Sequence, residues 1–183
     1  KPNFKNKSIL DFGCGHGALC LDIARSYPRR VLGIDLEENL LNFANENLIK
    51  NYSKYSNIVS FKKIDLISEN INEKFDYIVS KDTFEHSLEL PKVLDKMFDL
   101  LNNGGKAYIG FGPLYNFYNG DHARTRLYLP WLHLAFSEKF IINRLNKVNK
   151  IQIKSIQDLG LSKYSLKEYE KFFKESKFKI NFY

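Results

Sequence analysis

A doubly wound α/β fold with a mostly parallel sheet is what this sequence predicts, and three observations carry that expectation. Apolar runs and helical stripes alternate through the first two thirds of the 183 residues, the pattern of a parallel sheet covered by helices on both faces. The first apolar run, Ser8-Ile9-Leu10, ends in Asp11-Phe12-Gly13-Cys14-Gly15-His16-Gly17, and only glycine lets the main chain at a strand end come that close to a nucleotide. A long aromatic-rich segment, Leu114 to Leu134, then breaks the rhythm. Irregular stretches of that length in a compact domain are usually functional loops or lids.

Strands are predicted at Ser8 to Phe12, Arg30 to Asp35, Ile58 to Asp65, Phe75 to Ser80 and Lys106 to Phe111. The first helix, Gly17 to Tyr27, follows the glycine turn. The second, Glu37 to Tyr52, carries Leu40, Leu41, Ala44 and Leu48 at the spacing of one helix face. Pro91 suits the first turn of a third helix, where its missing N–H costs nothing. That helix should bury Val93, Leu94, Met97 and Leu101 and stop at Asn102-Asn103-Gly104-Gly105. Ser165-Leu166-Lys167-Glu168 is a capping box for a helix with Tyr169, Phe172 and Phe173 on its inner side. The alternating Phe178-Lys179-Ile180-Asn181-Phe182-Tyr183 reads as a sixth strand.

The length suits a single domain over residues 1–183. No apolar run approaches the roughly 20 residues of a membrane span, and Lys1-Pro2-Asn3-Phe4-Lys5 lacks a signal peptide's apolar core. Cys14 and Cys20 flank the glycine turn, a placement that suits packing in a reducing, cytoplasmic setting better than a disulfide. The net charge of +7 arises from lysines scattered among asparagines. Its densest clusters, Lys62-Lys63 and Lys147 with Lys150, are short, which argues against a nucleic-acid partner.

Gly13-x-Gly15-x-x-Ala18 also matches the dinucleotide fingerprint, with Asp35 near the expected offset of about 20 residues. Charge separates the possible cofactors. A dinucleotide would bring an anionic pyrophosphate to a turn that Asp11 makes acidic. S-adenosylmethionine has no phosphate and carries an ammonium and a sulfonium, which a neighbouring carboxylate attracts by several kcal/mol at an effective dielectric of about 20, before desolvation.

Asp11-x-Gly13-x-Gly15-x-Gly17 resembles motif I of the class I S-adenosylmethionine-dependent methyltransferases, in particular their small-molecule type 11/12 group. Val31-Leu32-Gly33-Ile34-Asp35 is similar to that family's second strand, Ile64-Asp65-Leu66 to the end of the third, and Phe75-Asp76-Tyr77-Ile78-Val79 to the fourth. Phe84-Glu85-His86 and Leu100-Leu101-Asn102-Asn103-Gly104-Gly105 resemble the segments bracketing the next helix. The resemblance implies a Rossmann-like fold and S-adenosylmethionine as cofactor, with S-adenosylhomocysteine as product. It implies cofactor contacts from Asp11, Phe12, Gly13, Gly15, Gly17, Asp35, Leu36, Asp65, Leu66 and Lys81, with Asp35 on the ribose hydroxyls and Asp65 at the adenine amino group. The residues alone leave other roles open. Asp11 could cap its turn and Asp65 its loop. Asp76 reads as structural, His16 as either a cofactor contact or a surface residue, and His86 as a helix-entry or packing residue. No metal-ligand set is assigned.

An insertion at about 113–136 leaves the carboxyl end of the fifth strand, the edge where open α/β sheets bind ligands. It supplies the acceptor candidates Tyr115, Arg124, Arg126, Trp131 and His133, and His122, preceded by Asp121, as candidate base. The aromatics could equally form a satellite core beneath the loop. The expected activity is methyl transfer to a small molecule, with a hydroxyl as the first candidate acceptor. An RNA or protein methyltransferase, a non-catalytic cofactor-binding relative and a nicotinamide-dependent oxidoreductase are the alternatives. The family's sheet normally has seven strands with the last antiparallel, and here the last antiparallel strand and most of the N-terminal cover are missing. The sequence is therefore expected to be incomplete at both ends.

Overall fold

Five strands, all parallel, form one sheet among the described residues, in the spatial order β3-β2-β1-β4-β5. They are β1 Ser8–Phe12, β2 Arg30–Asp35, β3 Val59–Lys63, β4 Phe75–Lys81 and β5 Leu101–Gly110. The computed structural model describes residues 2–149 and 152–181. Contacts divide the chain into two units, Lys1–Asp82 with Lys92–Gly110 and Thr83–Pro91 with Phe111–Tyr183.

In the first unit the chain winds outward from β1 through β2 to β3 and then returns to lay β4 on the other side of β1. That reversal puts a switch point at the carboxyl ends of β1 and β4, where α/β sheets of this kind bind ligands. Helix α1 (Ala18–Ala24) buries Cys20, Leu21, Ile23 and Ala24, and α2 (Glu38–Asn51) buries Leu41, Ala44 and Leu48. They share a core with Ile9, Val31, Val59 and Phe61. Leu40, expected on the buried stripe, is 41% exposed. Leu41, Ala44 and Leu48 already complete the i, i+3, i+7 line, and Leu40 lies at its edge. Helix α3 (Leu90–Asp99) buries Val93, Leu94 and Met97.

Two elements differ from the sequence expectation. Leu101 opens β5 instead of closing α3, and Asn102-Asn103-Gly104-Gly105 lies inside the strand. Phe75 pairs with Leu101 and Tyr77 with Lys106, so the intervening residues bulge out of the ladder. Gly104 has φ 76° and a side chain on Gly105 would reach the Asn102 carbonyl at 2.9 Å, so turn-forming residues are required there, within a strand. The predicted sixth strand is not formed over residues 178–181, and Phe182 and Tyr183 lie outside the described residues.

The second unit contains α4 (Leu132–Ala135), α5 (Glu138–Asn149) and α6 (Leu166–Glu175). Single turns of 3₁₀-helix occur at Phe84–His86 and Ile156–Leu159. Tyr115, Leu127, Ile141, Leu145, Ile156 and Leu161 form its hydrophobic core. The predicted capping box opens α6: Ser165 Oγ accepts from the Glu168 amide and Glu168 Oε2 accepts from the Ser165 amide. Tyr169 is buried and Phe173 stacks on Phe84 with centroids 6.1 Å apart. No helix is long and apolar enough to cross a membrane among the described residues.

Gly33 is the tightest point beneath the glycine turn. A Cβ there would stand 2.7 Å from Phe61 Cδ1 and 2.9 Å from both Cys14 Sγ and Cys20 Sγ. Gly33→Ala is expected to lower stability by about 1–3 kcal/mol through overpacking, read as a fall in the chemical-denaturation midpoint. An unchanged midpoint would show that this layer can yield.

Candidate functional site

The loop after β1 is folded back onto the end of β2 by its own amides. Gly13 and Cys14 N–H both donate to the Ile34 carbonyl, at 2.9 and 3.0 Å, and Gly17 N–H donates to the Cys14 carbonyl at 2.9 Å. Gly15 N–H donates to Asp35 Oδ2 at 2.7 Å, and Asp35 Oδ1 accepts from the Glu37 amide at 2.9 Å. Gly13, Gly15 and Gly17 all have positive φ, and a Cβ on Gly17 would come within 2.5 Å of the Phe61 ring. Gly17 is thus needed both for conformation and for space, and Gly13 and Gly15 for conformation.

These hydrogen bonds bear on the ligand. The amides of Gly13, Cys14, Gly15 and Gly17 point at protein acceptors, so the turn is not a nest of N–H groups for a phosphate. Two carboxylates, Asp11 and Asp35, flank it. Such a cup repels a pyrophosphate and suits a phosphate-free nucleoside bearing positive charge, so the residues present fit S-adenosylmethionine.

Asp11 sits on the central strand between Gly33 of β2 and Val79 of β4. It is buried, and Oδ2 accepts from the Cys20 thiol at 3.1 Å. Burial pushes its carboxyl up from 3.8 to about 7; the Cys20 hydrogen bond opposes the rise and the charge of Asp35 adds to it. Burial also pushes the Cys20 thiol well up, so that it stays protonated as the donor. Both cysteines are free and buried. Within the protein the hydrogen-bond partner of Asp11 is a thiol.

The other cofactor candidates occupy varied positions in the same unit. Asp65 is half-buried and accepts from the Ile67 amide at 2.9 Å and from Ser68 Oγ at 2.8 Å; the Ile67 bond foremost holds its carboxyl below the usual range. It caps its own loop. Leu66 is buried, Leu36 is 59% exposed, and Phe12 is half-buried with its carbonyl accepting from Ser80 Oγ at 2.9 Å. Lys81, exposed at the end of β4, lies 3.7 Å from Asp82. His16 is exposed with its ring edge toward Phe43. Asp76 is structural: Oδ2 accepts from the Ser8 amide at 2.8 Å and Oδ1 from Asn102 Nδ2 at 3.2 Å.

The acceptor candidates divide between a scaffold and an exposed face of the second unit. Tyr115 belongs to the buried core. His133 is also buried, with Nε2 2.8 Å from the Tyr115 carbonyl and Nδ1 3.8 Å from Asp121 Oδ1. Asp121 accepts from the Thr125 hydroxyl, so Tyr115, Asp121, Thr125 and His133 form an internal frame. Arg124 donates to the carbonyls of Leu159 and Gly160, which ties the segment to the turn before α6. Arg126 and Trp131 are exposed, both with φ in the left-handed region, at 53° and 59°. His122 (φ 51°) places Nε2 2.9 Å from the Pro113 carbonyl. A carbonyl only accepts, so this ring carries its proton on Nε2 and its lone pair on Nδ1. Non-glycine residues in this region store about 1–2 kcal/mol each and recur at functional segments.

The sequence reading missed Cys20 as the partner of Asp11, though both lay within the quoted turn and its helix. It also missed Glu85, a buried carboxylate whose neighbourhood with His122 no sequence spacing could disclose.

Residues 3–111 match a family model described as "Methyltransferase domain". Phosphoethanolamine N-methyltransferase 1 of Triticum aestivum is 36% identical over 104 residues, which is 56% of this chain and 20% of that protein. A TehB-like S-adenosylmethionine-dependent methyltransferase of Corynebacterium glutamicum has a TM-score of 0.51 at 28% identity, covering 61% of this chain and 57% of its own. Coclaurine N-methyltransferase, solved with N-methylheliamine and S-adenosylhomocysteine bound, has a TM-score of 0.52 at 26% identity, covering 57% and 30%. The chain spans about a fifth of the length of the plant phosphoethanolamine enzymes it matches.

Because the folded state has the higher Asp11 value, it holds a proton that the unfolded chain loses first. Stability from this group therefore falls as pH rises from about 4 to about 7, by up to about 1.4 kcal/mol per pH unit. Thermal unfolding across that range should show the slope, and Asp11→Asn should flatten it; parallel curves for the two proteins would refute this assignment.

Proposed function

The chain belongs to the class I S-adenosylmethionine-dependent methyltransferases, and on that premise we propose that it methylates a small molecule at a hydroxyl or amine. The observation that carries the reading is the acidic glycine cup whose amides are already engaged. S-adenosylmethionine supplies an electrophilic methyl group on a sulfonium, a displacement for which alignment and exclusion of water provide most of the acceleration.

In this reading Asp35 holds the ribose hydroxyls. Each of its oxygens keeps a lone pair after serving the amides of Gly15 and Glu37. Asp11 would act through its charge: a cation bound at the turn would favour the ionised carboxylate, so binding would release its proton. Asp65 and Leu66 would flank the adenine. Gly13, Gly15 and Gly17 would supply the close-approach surface, with Phe12, Leu36 and Lys81 around it.

The family match ends at residue 111, and the acceptor candidates lie beyond it in the second unit. Arg126 and Trp131 are the exposed candidates for holding it, and Arg124, Tyr115 and His133 would shape the segment that presents them. His122 would take the acceptor's proton at Nδ1. A hydroxyl needs such a base during transfer, whereas an amine needs it only to arrive neutral. The names of the wheat and coclaurine enzymes support including an amine.

Two measurements test the proposal. Asp35→Ala should weaken S-adenosylhomocysteine binding at least about tenfold by calorimetry, the loss of roughly 1.4 kcal/mol or more from charge-assisted hydrogen bonds. With labelled S-adenosylmethionine and a panel of hydroxyl and amine metabolites, the chain should label a small molecule. His122→Ala should slow that transfer about 10²–10⁴-fold without changing S-adenosylhomocysteine affinity. Full rate in His122→Ala would remove the base assignment, and label confined to RNA or protein would remove the small-molecule reading.

A further inference from the structure

The 3₁₀ turn Phe84–His86 is held at three successive residues. Tyr169 Oη donates to the Phe84 carbonyl at 3.1 Å, the Ser162 amide donates to the Glu85 carbonyl at 3.2 Å, and His86 Nδ1 lies 2.7 Å from the Gly160 carbonyl. Glu85 is only 3% exposed. These bonds fix the main chain at Phe84 and Glu85 and the ring of His86.

We propose that Glu85, His86 and His122 form a binding site for a first-row divalent transition cation, with two imidazoles and one carboxylate as ligands. Each residue offers one ligand atom, and the three atoms lie within 4.8 Å of one another. Ligands sharing an ion at about 2.0–2.2 Å stand roughly 3–3.5 Å apart, so shifts of about an ångström would bring the three atoms onto one ion.

The hydrogen bonds set the tautomers. The Gly160 carbonyl fixes the proton of His86 on Nδ1, which puts the lone pair on Nε2; the Pro113 carbonyl fixes that of His122 on Nε2, which puts the lone pair on Nδ1. Backbone carbonyls orienting ligating imidazoles in this way are the usual outer support of metal sites. The two rings meet edge-on, with centroids 4.8 Å apart and planes at 64°. Two neutral imidazoles with one carboxylate are a donor set that zinc, iron, cobalt and manganese accept, with further positions left for a small ligand.

This site goes beyond the methyl-transfer reading and is tested apart from it. A seated cation occupies the Nδ1 lone pair of His122, and activation of a hydroxyl or amine then passes from the imidazole to the ion as Lewis acid.

The test is titration of the tag-free, chelator-treated chain with Co²⁺, followed by visible absorption and calorimetry, with Zn²⁺ as competitor. One Co²⁺ per chain is expected, giving a d–d band that Zn²⁺ removes. Both His122→Ala and Glu85→Gln should weaken binding at least about tenfold. Retained S-adenosylhomocysteine binding in each variant shows that the protein is folded and keeps the donor site out of the result. Absence of Co²⁺ binding, or equal affinity in His122→Ala or in Glu85→Gln, would overturn the proposal.

Discussion

The hydrogen bond from the Gly15 amide to Asp35 joins the loop leaving β1 to the end of β2, and the cup exists because of it. Bringing the main chain that close requires left-handed backbone at Gly13, Gly15 and Gly17. It also requires no side chain at Gly33, since Phe61, Cys14 and Cys20 fill the space beneath. Conformation, packing and charge therefore meet in one layer. Once the loop's amides are committed inward, what the cup offers a ligand is carboxylate rather than N–H. The cofactor preference is thus a by-product of how the loop is folded.

The second unit solves a different problem. Its segment after Pro113 has little regular structure and is held by buried polar bonds instead: Asp121 to Thr125, His133 to the Tyr115 carbonyl, and Arg124 to the turn before α6. This frame lets neighbouring residues take left-handed conformations that an unsupported loop would shed. The Pro113 carbonyl holds the His122 ring, the Tyr169 hydroxyl and Ser162 amide hold the main chain at Phe84 and Glu85, and the Gly160 carbonyl holds the His86 ring. Preorganised side chains of this kind lose little freedom when a ligand arrives.

The parallel core was legible in the sequence because period-2 and period-3.6 patterns report burial directly, as with Leu41, Ala44 and Leu48. The capping box at Ser165 was legible for the same reason: it is a local device. Asn102-Asn103-Gly104-Gly105 was misread because bulge and helix stop ask for the same residues, and only the pairing with β4 tells them apart. The glycine cup could be located but not its inner side, where Asp11 meets a thiol six residues beyond Cys14 across a helix turn. Among the acceptor candidates, chemistry-bearing residue types were visible, whereas burial was not. His122 and His133 look alike in sequence, and one is half-buried on a turn while the other is locked into the interior.

The chain's single tryptophan, Trp131, is 57% exposed in that irregular segment and lies 5.9 Å from the ring of Tyr118. Indole emission is consequently a local signal, arising from one place on the surface and fed by nearby tyrosines. Drying of that ring by a bound molecule, or a change in the turn beneath it, would alter colour and intensity with no label attached. The segment that departs most from regular structure thus carries its own optical reporter.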